Sequence, residues 1–196
     1  HSAKGLEFYA VFLTGLEEAP AYFFVDIQPD QMPLYVEMLE NDPAVARIDT
    51  APMLRGVITE INDRPAREVA GDHWVVTGDR GITYAAQPDA NTRVVAGEWW
   101  QSDHDGPAEV SFAIEEAEEM GLELGDRLTV NVLGRDISAT ITSFRDVDFS
   151  TAGMGFVLTM TPNALQGAPH TFISTVYASP EDDARTLRAL DSAFPN

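Results

Sequence analysis

One pattern occurs twice in this chain, and it limits the possible folds more than any other feature. Tyr22 to Ile27 is apolar and β-rich, and Pro29 then opens a helical stretch. In that stretch Met32, Val36 and Leu39 recur at i, i+4 and i+7, one face of a helix. Asp42-Pro43 stops the helix, and Val45 to Thr50 reads as the next strand. Near the other end, Thr171 to Ala178 is again a strand. Ser179 follows as an N-cap, with Pro180 at the first helical position and acids in the first turn. Leu187 and Leu190 mark the buried face of that second helix. An offset of 151 positions brings Pro29 onto Pro180, Val36 onto Leu187 and Leu39 onto Leu190. Two strand-helix halves of this kind predict an α+β, ferredoxin-like split β-α-β frame. The second half stops at Phe194-Pro195-Asn196, where its returning strand is due, so the frame is expected to lack its last strand.

The stretch between the halves has a different texture. Gly56 to Ile61 reads as one arm of a hairpin turning at Asn62-Asp63. His73 to Thr77 and Ile82 to Ala86 read as short strands about Gly78-Asp79-Arg80-Gly81. Ala113, Ala117 and Met120 mark a short helix, with Gly121 where a left-handed C-terminal cap belongs. Leu128, Val130 and Val132 alternate with polar residues, Gly134-Arg135-Asp136 turns the chain, and Ile137, Ala139 and Ile141 alternate back, which makes a hairpin. The domain reading is a frame of residues 19–54 and 155–196 with a β-rich insertion at 55–154. Residues 1–18 stand apart as a head. Lys4 is the only lysine, and every other basic residue, from Arg47 to Arg188, is arginine.

Charge removes whole classes of function. The net charge of -20 opposes binding to nucleic acid or to an anionic membrane surface, because phosphates demand clustered Lys and Arg. The 44% hydrophobic content supports a core, yet no run approaches the roughly 20 apolar residues of a membrane helix. With no cysteine there is neither a disulfide nor thiolate chemistry.

Candidate chemistry is sparse. Asp103-His104-Asp105 could offer metal oxygens and an imidazole, but it sits before Gly106-Pro107 with no second ligand set, so it reads as a solvated turn. His170 reads as a structural turn residue. Glu115-Glu116 and Glu118-Glu119 read as the outer face of a short helix. Neither G-x-S-x-G nor S-x-x-K occurs, Ser150 shows no activating base, and the lone lysine is followed by Gly5 rather than by a P-loop Ser or Thr. No catalytic residue, metal site or cofactor is expected. Trp99-Trp100 and the apolar loop of Phe149, Met154 and Phe156 are the candidate partner surface, set against the alternative that all are packed under loops.

Two resemblances follow from longer strings. His1-Ser2-Ala3-Lys4-Gly5-Leu6-Glu7-Phe8, with Ala10 to Leu13 and Gly15 to Glu18, resembles a motor motif of UvrD-type superfamily 1 DNA helicases. It covers under a tenth of the chain and is read as a foreign junction without helicase activity. The body resembles the extracytoplasmic domain of FtsX-like ABC transporter permeases, the nearest type being YbbP-like. The matching strings are Pro20 to Pro29, Ala51 to Gly56, Arg80 to Tyr84, Ala96 to Trp100, Gly121 to Asp126, Gly134 to Asp136 and Gly167 to Thr171. This resemblance implies a MacB-like periplasmic core, an α+β porter part interrupted by a β-rich part. It further implies a non-catalytic domain on the periplasmic side of the inner membrane, in a parent driven by a separate cytoplasmic ATPase subunit. Such a domain would engage a lipid-like substrate or a periplasmic partner and relay conformational change. The alternatives are a periplasmic lipid hydrolase-associated protein and a helicase fragment.

Overall fold

A computed structural model describes residues 7–9, 22–90, 92–149, 154–178 and 183–194. The chain is α+β and divides into two compact units. Residues 1–52, 149–154 and 170–196 form the first, and residues 53–148 and 155–169 form the second.

The first unit contains β1 (Glu7–Tyr9), β2 (Tyr22–Ile27), α1 (Met32–Glu40) and the start of β3 (Val45–Ile61), with β11 (Thr171–Ala178) and α5 (Asp183–Ala193) from the far end. Its strands lie in the order β1, β2, β11, β3. Both β1 and β11 run antiparallel to β2. Tyr22, Phe24, Ile27 and Val176 pack with Tyr35, Leu39, Leu190 and Phe194 as the core. The repeat is visible in that burial. Leu39 and Leu190 are buried, while Val36 and Leu187 pack half-buried beside them. Differences from the sequence reading are local. Helix α1 begins at Met32 rather than Pro29, because Gln31 and Met32 donate back to the Gln28 carbonyl and make a turn first. Strand β3 continues well past Thr50. The head is not wholly outside the fold, since Glu7, Phe8 and Tyr9 pair with Val25, Phe24 and Phe23. The predicted cap at Ser179-Pro180 lies outside the described residues.

The second unit is a ring. From the remainder of β3 the chain makes β4 (Arg64–Pro65), α2 (Ala66–Ala70), a 3-10 turn at Trp74–Val76 and β5 (Arg80–Tyr84). Then come β6 (Arg93–Gly97), β7 (Glu109–Ala113), α3 (Ile114–Met120), β8 (Arg127–Val132), β9 (Arg135–Asp146), β10 (Leu158–Met160) and α4 (Pro162–Leu165). Hydrogen bonding runs β3-β5-β10-β7-β9, and β8 pairs with both β9 and β3, which closes the circle. The pairs β5-β10 and β7-β9 are parallel, and the others in the ring are antiparallel. Closure leaves no free edge within the circle. Leu54, Ile58, Ile82, Phe112, Leu128, Val130, Ile141 and Leu158 fill it. Gly56 faces this interior, where a Cβ would come within 2.9 Å of Ile82 Cδ1 and 3.1 Å of Val130 Cγ1.

Three expectations change here. Segment 155–169 belongs with this unit rather than the frame, because Leu158–Met160 is inserted between β5 and β7. Residues 74–76 form a helical turn instead of a strand: the His73 side chain caps it by accepting from Val75 N, and Val76 N bonds back to His73 O. The β8-β9 turn is Leu133-Gly134, both at positive φ, one step earlier than Gly134-Arg135-Asp136. That is the two-residue geometry that matches strand twist.

Candidate functional site

The tryptophan pair is positioned by the end of β6. Gly97 has φ 72°, and a Cβ there would meet the Thr142 carbonyl oxygen and come within 2.9 Å of Ser143 Cα, so only glycine fits. Glu98 N still bonds Thr142 O at 3.1 Å, after which ladder pairing stops. Trp99 and Trp100 therefore do not alternate faces as strand neighbours would. Their rings lie together, centroids 4.3 Å apart and tilted by 35°. Each indole N–H donates to one of two successive carbonyls, Trp100 to Ala85 O at 2.9 Å and Trp99 to Ala86 O at 3.4 Å. Trp100 is 7% exposed, while Trp99 is half-buried.

The second candidate stretch splits. Phe156 is buried in the second unit, with its ring 3.7 Å from the position a Cβ on Gly81 would take. Phe149, 40% exposed, and the half-buried Met154 group with the first unit.

Sequence reasoning missed Arg145, the most unusual group here. It is 6% exposed. Its Nη2 donates to Phe156 O at 2.6 Å and Thr159 Oγ1 at 3.1 Å, and its buried Nε has no partner among the described residues. Burial pushes its pKa down to about 10, against the opposing pull of Asp89 and Glu116. A signal was available. Ile137, Ala139 and Ile141 set an inward phase on β9, and two more steps of two reach Ser143 and Arg145. Ser143 is also fully buried and donates to Ser111 Oγ at 2.8 Å.

The titratable clusters resolve into structure. His73 Nδ1 accepts from Val75 N, which leaves the proton on Nε2 to donate to Glu119 Oε2 at 2.7 Å. Glu116 is buried rather than on the outer face of α3, because Ala113, Glu116, Ala117 and Met120 share one helical stripe. Burial pushes its carboxyl above the usual range, and the charges of Glu115 and Glu119 add to that. His104 Nε2 donates to Pro107 O at 2.9 Å and its ring packs on Gly106, a structured turn. His170 stacks edge-on with Phe172 at 5.2 Å. Among the described residues, no three His, Asp or Glu side chains converge as a metal site.

One polar network stands out in the first unit. Asp42 Oδ1 accepts from Ala44 N at 3.0 Å and Arg185 Nη2 at 2.7 Å, and Oδ2 accepts from Thr186 Oγ1 at 2.7 Å. These bonds hold Asp42 below its ordinary pKa, the Ala44 amide contributing most.

No family model matches the chain. It is 26% identical to the uncharacterized ABC transporter permease YbbP of Escherichia coli (strain K12) over 182 residues. That similarity takes in 91% of this chain and 21% of the permease, so the chain spans about a fifth of the relative's length. The resemblance to ABC transporter permeases read from the sequence is thereby shown, whereas nothing in these comparisons supports a helicase. Solved structures with partial likeness include a permease-protein domain from Porphyromonas gingivalis (TM-score 0.47, 14% identity, 82% of this chain and 76% of that one). Two others are the periplasmic region of MacB from Actinobacillus actinomycetemcomitans (TM-score 0.38, 9% identity, 80% and 69%) and the extracellular domain of the ABC-type transporter YknZ from Gram-positive bacteria (TM-score 0.39, 12% identity, 81% and 81%).

Proposed function

We propose that this chain is the extracytoplasmic domain of an ABC transporter permease, on the periplasmic side of the inner membrane, and that it acts by contact and conformational relay rather than by catalysis. The observation that carries the reading is the run of similarity through 91% of this chain and only 21% of the permease. It marks a folded piece of a longer protein. In that parent a separate cytoplasmic ATPase supplies the energy, and this piece meets a lipid-like substrate or a periplasmic protein. A closed ring suits such relay, since it has no edge along which strands can slip and so moves as one body. Trp99 on the second unit, with Trp100 fixed beneath it, is the contact residue proposed there. Phe149 and Met154 are the contact residues proposed on the first, and Phe156 anchors the chain that follows them.

The test replaces the matching segment of the Escherichia coli permease with this chain, carrying a protease site in the exposed Leu133-Gly134 turn. Cleavage in intact spheroplasts, with protection in inside-out vesicles, is the expected outcome. Cleavage only in inside-out vesicles would refute the location. Stimulation of the ATPase subunit that survives Trp99→Ala and Phe149→Ala together would refute the contact role.

A further inference from the structure

The edge of β2 is occupied by a strand from an unusual source. In a split β-α-β frame the first strand lies between the third strand and the closing strand, and the closing strand runs antiparallel to the first. Here β11 takes the place of the third strand, and the opposite edge of β2 holds Glu7–Tyr9, also antiparallel. Residues from the head thus take the position of the closing strand. The pairing is three residues long, with Glu7 opposite Val25, Phe8 opposite Phe24 and Tyr9 opposite Phe23. Twelve residues separate Tyr9 from Tyr22, far more than the two to five of a hairpin turn. The two strands are therefore not joined by a direct two- to five-residue turn. What joins them among the described residues is a backbone ladder, and a ladder reads main chain more than side-chain identity.

We propose that the β2 edge is a strand-acceptor site for an extended peptide and that residues 7–9 are its occupant in cis. The acceptor row is Phe23, Phe24 and Val25. Phe24 is anchored in the core against the Tyr35 ring at 5.6 Å, so the row is held in register whether or not β1 is present. A strand joined to its acceptor within one chain is supplied at an effective concentration on the order of millimolar. A free peptide at similar concentration can then fill the site once the cis strand is disabled.

Phe8→Pro in the full chain removes the central amide hydrogen of β1. Hydrogen exchange at those of Phe23, Phe24 and Val25 whose amides face β1 should quicken by roughly tenfold or more, while the amides facing β11, and Val130 and Ile141 of the ring, exchange as before. Adding a synthetic peptide of residues 1–18 at about millimolar concentration should restore slow exchange in β2. The same peptide carrying Phe8→Pro should not, and the unmodified chain, its edge filled, should respond at least tenfold more weakly. Unchanged exchange in the Phe8→Pro chain would overturn the proposal. So would failure of the peptide to restore protection, or equal binding by the unmodified chain. If Phe8→Pro prevents folding of the first unit altogether, refolding on addition of the peptide supports the proposal and continued unfolding refutes it.

Discussion

Asp42→Ala probes the tie between the two halves of the repeat. Asp42 ends the helix of the first half, and its partners Arg185 and Thr186 lie on the helix of the second. The loss can be worked out bond by bond. The bond to Ala44 N resembles a helix cap and is worth about 1 kcal/mol. Thr186 is 2% exposed, so its hydroxyl would be left buried without an acceptor, at a cost of about 1–2 kcal/mol. The Arg185 side chain is 53% exposed, and its ion pair contributes no more than about 0.5 kcal/mol. The expected destabilisation is about 2–3 kcal/mol, confined to the first unit. All three tryptophans, at 74, 99 and 100, belong to the second unit, so tryptophan fluorescence serves as an internal control. Urea titration followed by amide exchange at Val176 and Leu190 should shift, and the fluorescence midpoint should hold. The pH dependence has a definite sign. Because the folded pKa of Asp42 is depressed, the part of its contribution that belongs to the charged form is complete above the ordinary carboxylate value of about 4 and is lost as pH falls through the folded value. The gap between the unmodified chain and Asp42→Ala should therefore be full at neutral pH and narrow in acid. A gap under about 0.5 kcal/mol at neutral pH, or one equally wide in acid, would refute this account of the network.

Gly97→Ala places a Cβ against the backbone of β9 at positive φ and should cost at least about 2 kcal/mol in thermal or urea unfolding of the second unit. Trp100→Ala should cost about 3–5 kcal/mol in the same assay, as a buried ring with a satisfied N–H, while Trp99→Ala should cost about 1–2 kcal/mol. Tyr35→Phe should change stability by less than about 1 kcal/mol, because the hydroxyl, buried near Ser174, makes no well-formed hydrogen bond there. A large loss would show that a Tyr35–Ser174 bond is real.

The frame was legible because its signals are local. Period-2 and period-3.6 patterns, with a stop at Asp42-Pro43, were enough to place β2, α1, β11 and α5. The hairpin of β8 and β9 was legible for the same reason, although the register of its turn was not. Leu133 adopts φ 51°, a conformation its branched side chain does not advertise. Ring closure left no local mark. That β8 pairs with β3 depends on partners some seventy positions apart, and the three residues of β10 look like part of a loop until β5 and β7 are in place. The candidate site was half visible. Aromatic content pointed to Trp99 and Trp100, but their side-by-side packing comes from the end of strand pairing at Gly97, which composition does not record. Arg145 was hidden by the rule that arginines face solvent.

The order in which the chain is made acquires a consequence from the ring and the split first unit. On the ribosome β3 emerges long before β8, the partner that closes the ring. Ile61 must wait for Leu128 and Gly56 for Val132, a delay of roughly 3–15 seconds at about 5–20 residues per second. The hairpin of β8 and β9 forms in about 1–10 microseconds once it is released, so it is the natural template onto which β3 closes. Strand β2 waits longer still, until β11 appears some 150 residues later. Among the described residues, β1 is the strand that precedes β2 and pairs with it, so this pair can form within that interval. A pairing only three residues long in the finished sheet would then cover one edge of Phe23, Phe24 and Val25 while the rest of the sheet is still being made.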